Sequence, residues 1–198
     1  MKGKFIVLDG PDGCGKSTQA RLLRKYLQSR GFRVVMTDNP TGGEIGKLLE
    51  KKIKEYNHAV VNALLFSADR QEQVNKTILP AVKAGKIVIS DRFYYSTLAY
   101  QSAQGVEMKW LLELSKFFPR PDIAIFFDLD AEECMKRLSG RKEVHLKEFE
   151  KLRFIEKVVR NYRKLPKILK GEKMVVIDGN ENIEKIHGKI LKAVKEII

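Results

Sequence analysis

The stretch Gly10-Pro11-Asp12-Gly13-Cys14-Gly15-Lys16-Ser17 reads G-x-x-x-x-G-K-S, and it stands between a short apolar run at 4–9 (KFIVLD) and helical spacing at 17–30. A strand that turns through glycines straight into a helix gathers backbone N–H groups and the positive end of the helix dipole at one point, where an anion fits. A lysine at this position reaches the β- and γ-phosphates of a nucleotide, and the following hydroxyl is offered to magnesium. Gly10 to Ser17, with the adjoining Thr18, therefore reads as a nucleoside triphosphate site with Mg2+ at Ser17. Within it Cys14 is expected to be a small filler, since a helix N-terminus alone gives a thiol little reactivity. Asp12 is costly among phosphate-binding amides unless it meets a hydroxyl, a cation or an arginine. It reads as a contact to a second substrate.

Four further apolar runs follow, at 32–37 (FRVVMT), 86–90 (KIVIS), 122–128 (DIAIFFD) and 173–178 (KMVVID). None alternates, so each suits a strand buried on both faces of a parallel sheet. Between them lie helical segments at 46–55, 59–84 and 148–165, with a last one at 183–197. Gly31 and Gly85 sit where helices should end before a strand. Strand alternating with helix predicts an α/β fold with a doubly wound parallel sheet, in one domain spanning 1–198. The 138–146 segment (LSGRKEVHL) breaks the rhythm; it reads as a helix–helix connection or as a basic flap over phosphates.

Composition narrows the class. No apolar run approaches the roughly 18 residues of a membrane span, and the first residues lack a signal peptide's apolar stretch. Two cysteines, Cys14 and Cys134, form no metal spacing, which suits a reduced, cytoplasmic chain. The 38 Lys and Arg against 25 Asp and Glu leave +13, which favours a polyanionic partner or a solubilising lysine-rich surface. The cations are scattered rather than interleaved with aromatics on one face, so neither a nucleic-acid nor a membrane partner is expected. His58, His145 and His187 have no partners at catalytic spacing and read as solvent-facing. Asp128 and Asp130 end a strand with no arginine following, and read as structural.

Two more motifs carry chemistry. Asp91-Arg92-Phe93-Tyr94-Tyr95-Ser96-Thr97-Leu98-Ala99-Tyr100-Gln101 follows the third apolar run. A carboxylate at that strand end suits magnesium's water shell, and the arginine beside it suits an acceptor phosphate. In Leu64-Leu65-Phe66-Ser67-Ala68-Asp69-Arg70, the phenylalanine and arginine are i,i+4 and share a helix face. An aromatic plane beside a guanidinium is a base reader by stacking and donation.

Taken with the phosphate loop, these motifs resemble the thymidylate kinases over residues 4–197. The resemblance implies a three-layer P-loop kinase fold: a five-stranded parallel sheet, helices on both faces and a short basic lid at about 138–147. It implies transfer of the γ-phosphate of ATP to dTMP, with Mg2+, in a homodimer. Phe66 would stack on thymine, Arg70 bond its O4 and Arg92 hold the dTMP phosphate. Asp12 would meet the 3′-hydroxyl, and Tyr100 would crowd the 2′ position. Ser96, Thr97 and Gln101 would lie in the acceptor site, with Tyr162 closing over the sugar. Lys16, Asp91 and Arg92 would form the catalytic set, with Ser17 and Asp91 at the metal. The loop carries no arginine, so a lid arginine is expected, Arg141 first and Arg137 second. Other acceptors, dUMP or a deoxynucleoside, fit the same residues, and a nucleic-acid-binding ATPase is the reading from another class. One departure stands out: Asp38-Asn39-Pro40 replaces the family's usual Arg-Glu-Pro.

Overall fold

The computed structural model describes residues 2–139 and 146–198. Five strands form one sheet: β1 (Lys4–Asp9), β2 (Val34–Asp38), β3 (Ile87–Asp91), β4 (Ile123–Asp128) and β5 (Met174–Asp178). Their order is β2-β3-β1-β4-β5, and every pairing is parallel. All five end in an aspartate, so five carboxylates stand along the carboxyl edge, where ligands of open α/β sheets bind.

Side-chain alternation along the strands builds two cores. Ile6 and Leu8 of β1 join Ile89 and Ile125 on one face; they pack under α1 (Lys16–Ser29) and α9 (Ile183–Lys195), where Leu23, Leu27, Ile186 and Ile190 are buried. Phe5 and Val7 point the other way. They meet Val88, Phe93, Tyr95 and Leu98 beneath α5 (Tyr94–Ala103) and α8 (Leu146–Ile168). Burial on both faces holds for the three central strands, but β2 and β5 are sheet edges and their apolar runs are half covered, with Val176 53% exposed.

The remaining helices are α2 (Glu44–Glu55), α3 (Ala59–Gln73), α4 (Leu79–Lys83), α6 (Met108–Ser115) and α7 (Ala131–Ser139). A π turn at Val74–Ile78 joins α3 to α4, immediately before Pro80, which has no N–H to continue the ladder. The expected 59–84 helix is therefore present with one wide turn. Gly31 and Gly85, both at positive φ, end α1 and α4 in Schellman geometry. Phe32 N–H bonds Leu27 O, and Lys86 N–H bonds Ala81 O. The segment read as a flap begins and ends in helix, at Leu138–Ser139 and Leu146; Gly140, Arg141, Lys142 and His145 lie outside the described residues.

Candidate active site

β1 delivers the chain into the phosphate loop. Gly10, Gly13 and Gly15 all have positive φ, and a Cβ on Gly13 would meet Cys134 O at 2.7 Å. Gly15 caps α1 without a side-chain bond, and the first turn holds no acid, so its N–H groups stay available to an anion. Lys16 is buried across the loop, its Nζ 3.4 Å from Pro11 O and 3.8 Å from Asp12 Oδ1. Cys14 is buried, and burial pushes its thiol above the ordinary value, which suits packing rather than attack.

β3 supplies the next pair. Ser17 Oγ donates to Asp91 Oδ2, while Asp91 Oδ1 is buried with no hydrogen-bond partner. Hydroxyl plus carboxylate is the sparse, oxygen-only set that magnesium accepts when phosphates and waters complete its shell. The unsatisfied Asp91 oxygen is the observation that fits such an ion. Asp38 pairs in register with Asp91 across β2–β3; burial and then Asp91's charge hold its carboxyl above the ordinary value.

Among the described residues Arg92 is the one non-glycine at positive φ, 76°. A left-handed backbone costs roughly 1–2 kcal/mol, and the surroundings hold it. Arg92 N–H bonds Leu8 O at 2.9 Å, and the guanidinium donates to Asp12 Oδ1, to Ser96 Oγ at 2.7 Å and to Gly10 O at 3.3 Å. It also lies over the Tyr100 ring at 5.3 Å. Burial alone would raise Asp12, but Arg92 and then Lys16 outweigh it and hold its carboxyl below the usual range. Tyr100 OH donates to Asp12 Oδ2 at 2.9 Å.

Beneath this layer sits Asp9, which sequence reasoning missed. Fully buried, it accepts from Gly10 N, Phe93 N, Ser96 Oγ and Tyr162 OH at 2.6–2.9 Å. One carboxylate thus ties the start of the phosphate loop to the Arg92 turn and to α8. The signal was a carboxylate closing a wholly apolar strand just before the first loop glycine. Tyr162 faces this network and is absent from the wall of the cavity that Phe66 lines.

Among the described residues two larger cavities flank the loop. One, of about 330 Å³, brings together Asp12, Phe66, Arg92, Ser96, Thr97, Tyr100 and Gln101. Its wall also holds Asn39, from the departure at 38–40, and Asn62, Gln104 and Phe154, which the motifs did not point to. Thr97 Oγ1 and Asn62 Oδ1 are buried there without hydrogen-bond partners. Arg70, one turn past Phe66, is fully buried and does not line the cavity; its Nη2 bonds Asn39 Oδ1 at 2.6 Å. The other cavity, of about 460 Å³, runs from Gly13 to Thr18, past Arg137, to 181–186 at the start of α9. Arg137 is held there by Glu133 Oε1 at 2.8 Å and Gly179 O at 3.1 Å. Arg141 lies outside the described residues.

The remaining expectations resolve locally. Arg163 bonds Asp128 at 2.7 Å and Asp130 at 2.8 Å, which gives both a structural partner. His58 caps α3 and stacks on Tyr56. His187 is half-buried against Gln19 Oε1 at 3.2 Å rather than free in solvent.

A P-loop whose two sides open into separate cavities, one walled by Phe66 and Arg92, can bring a nucleotide's terminal phosphate up to a second, anionic substrate. A sequence model of thymidylate kinases matches residues 8–190. The probable thymidylate kinase of Pyrococcus horikoshii is 43% identical over 205 residues, covering 98% of this chain and 97% of its own. That of Thermococcus onnurineus is 44% identical, covering 96% and 97%. The thymidylate kinase of Desulfotalea psychrophila is 36% identical, covering 99% and 96%. Motifs, fold and relatives agree: the chain belongs to the thymidylate kinase family.

Proposed function

We propose that this protein transfers the γ-phosphate of ATP to dTMP, giving dTDP and ADP, as a single nucleotide kinase domain. The observation that carries the reading is the Phe66-walled cavity, which meets the phosphate loop at Asp12 and Arg92. ATP enters from the Arg137 side with its phosphates along Gly10 to Thr18. dTMP enters from the other side: thymine on Phe66, polar edges toward Thr97, Gln101 and Arg70, phosphate toward Arg92. Asp12, half-exposed and held ionised by its two cations, offers an oxygen to the 3′-hydroxyl. The Tyr100 hydroxyl, tied to Asp12, stands where a 2′-hydroxyl would need room.

Phosphoryl transfer needs positioning and charge neutralisation more than a general base. Lys16 answers the charge on the β- and γ-oxygens, while Arg92 holds the acceptor phosphate and lessens its repulsion of the donor. Asp9, Ser96 and Tyr162 keep Arg92 from moving. Ser17 and Asp91 would hold Mg2+, which would supply positive charge to offset that of the donor phosphates. Arg141 supplies a further cation from the lid at 138–147.

The protein works in the cytoplasm as a homodimer. Among the described residues no helix is long and apolar enough to cross a membrane. The exposed Leu48, Val60 and Leu64 on α2 and α3 support a self-association face, and sedimentation velocity reads the mass. An ADP-release assay with ATP and dTMP, dUMP, dCMP or thymidine tests the reaction. dTMP should be the preferred acceptor, and thymidine, lacking the phosphate for Arg92, should not turn over. Equal turnover of dCMP and dTMP, or thymidine as the best acceptor, would overturn the assignment.

A further inference from the structure

Arg70 is a buried cation whose one hydrogen-bond partner among the described residues is a neutral side chain. Asn39 Oδ1 accepts from its Nη2 at 2.6 Å, and Nε and Nη1 are left with no partner. The rings of Phe93 and Phe118 flank the guanidinium at 5.7 and 5.5 Å, so packing as well as bonding restricts it. Burial pushes Arg70 down to about 10, against the pull of Asp9 and Asp69, and it stays charged at neutral pH. A charged donor group buried with two idle nitrogens is expensive, and a ligand acceptor offsets that cost.

The orientation of Asn39 is fixed by chemistry. Its Nδ2 donates to Asp69 Oδ2 at 2.6 Å. Arg70 can only donate, and Asp69 also accepts from Thr41 N and the Thr41 hydroxyl, so the amide has one satisfactory orientation. Asp69, also fully buried, takes Thr41 N at 2.8 Å and the Thr41 hydroxyl, so the same carboxylate pins the 39–41 turn to α3. Asn39 is only 3% exposed, yet it lines the acceptor cavity that Arg70 itself does not line. It is the link between the two. A carboxylate would neutralise the guanidinium, whereas one amide oxygen holds a single N–H and leaves the charge uncancelled.

We propose that Asn39 is a positioning residue for recognition of the acceptor base: its side-chain oxygen fixes the Arg70 fork behind the cavity wall, so that Nε and Nη1 stay unpaired for a carbonyl oxygen of the pyrimidine, which must displace part of that wall to reach them. This rests on the reading of Arg70 as a base contact. The test is a mutant cycle in the full-length protein, with dTMP KM, ATP KM, kcat and thermal midpoint measured for each variant. Asn39→Ala frees the guanidinium and should raise the dTMP KM roughly 10-fold, the scale of one charge-assisted hydrogen bond. ATP KM should stay within about 2-fold. In an Arg70→Ala background, Asn39→Ala should raise the dTMP KM no further. Asn39→Asp keeps an oxygen on Arg70 but replaces the bond to Asp69 by a repulsive oxygen–oxygen contact, so it should hold dTMP KM well below that of Asn39→Ala while lowering the thermal midpoint.

Additive effects in the double variant would overturn the proposal, as would an Asn39→Asp variant as impaired for dTMP as Asn39→Ala. Should Asn39→Ala not fold, the Asn39→Asp KM decides alone. Impaired Arg70→Ala beside a normal Asn39→Ala overturns only the positioning role; an unaffected Arg70→Ala overturns that role and the base-contact reading together.

Discussion

The cavities on either side of the phosphate loop are built from different parts of the chain. The donor side is walled by the loop from Gly13 to Thr18 and the start of α9, with Arg137 as its large cation among the described residues. The acceptor side is walled by side chains from α3, α5, α8 and the turn after β2, and behind it lies a buried polar network around Asp9 and Asp69. Phosphates are read by backbone N–H groups that any sequence with the right glycines can present. A base is read by side chains that must be held in place by others. The difference predicts that acceptor-side substitutions change which substrate is used, whereas donor-side substitutions change mainly how well ATP is used.

Lys16→Ala sits between the two sides and should have the largest effect. Its charge matters most as negative charge shifts away from the γ-phosphate, so kcat should fall by roughly 10²-fold or more. Circular dichroism should show an intact fold. A purified variant with unchanged turnover would remove the phosphate-loop assignment.

Phe66→Ala sharpens the comparison from the acceptor side. Base stacking is worth about 1–3 kcal/mol by alanine substitution, so the dTMP KM should rise roughly 5- to 150-fold. ATP KM should barely move, because Phe66 lines only the acceptor cavity. Movement of both KM values together would mean that the two cavities are coupled through α3 and the comparison fails.

From the donor side, Arg137→Ala should lower kcat more than it raises the dTMP KM, and the proposed lid residue's Arg141→Ala should do the same. Arg137 is already engaged by Glu133 and Gly179, so its own loss should be the milder, roughly 10-fold or less. Wild-type kcat in both single variants and in the double variant would discard the lid-arginine role.

The same contrast decides what could be read from the sequence. The glycine-rich loop and the strand bodies were legible because their signals are local: an uninterrupted apolar run, or a glycine spacing beside a helix start. The acceptor side was only partly legible. Phe66 and Arg92 sit in short motifs, but the partners that hold Arg92 reach Asp9 from 84 and 153 positions away. Nothing in the neighbourhood of Asp9 announces Phe93 or Tyr162. The α5 helix passed unread for a related reason. Ser96, Thr97, Tyr100 and Gln101 face the cavity that Phe66 lines, and polar residues there blur the apolar stripe that would mark a helix. The pairing of Asn39 with Arg70, 31 positions apart, was likewise invisible, although the departure at 38–39 pointed to the right turn.

The smallest effect concerns acid stability, and it separates the exposed rim of the acceptor side from its buried base. Asp12 is held below its ordinary value by Arg92 and Lys16 despite the opposing effect of burial. A carboxyl depressed in the folded state favours folding fully above its unfolded value of 3.8, and that contribution is lost as pH falls through the folded value. The wild-type thermal midpoint should therefore fall more steeply below about pH 5 than that of Asp12→Asn, which has no charge to lose. The Asp12 side chain is 49% exposed, so solvent screens the pair and the difference should be about 1 kcal/mol or less. In a chain of this size that is a shift of roughly 2–4 °C at most. Thermal scans of both proteins from pH 7 to pH 3 read it directly. Parallel curves would mean that Arg92 draws its restraint from the buried Asp9 and Ser96 side alone. A divergence much beyond that size would mean that Asp12 is a structural member of the network rather than its solvent-facing edge.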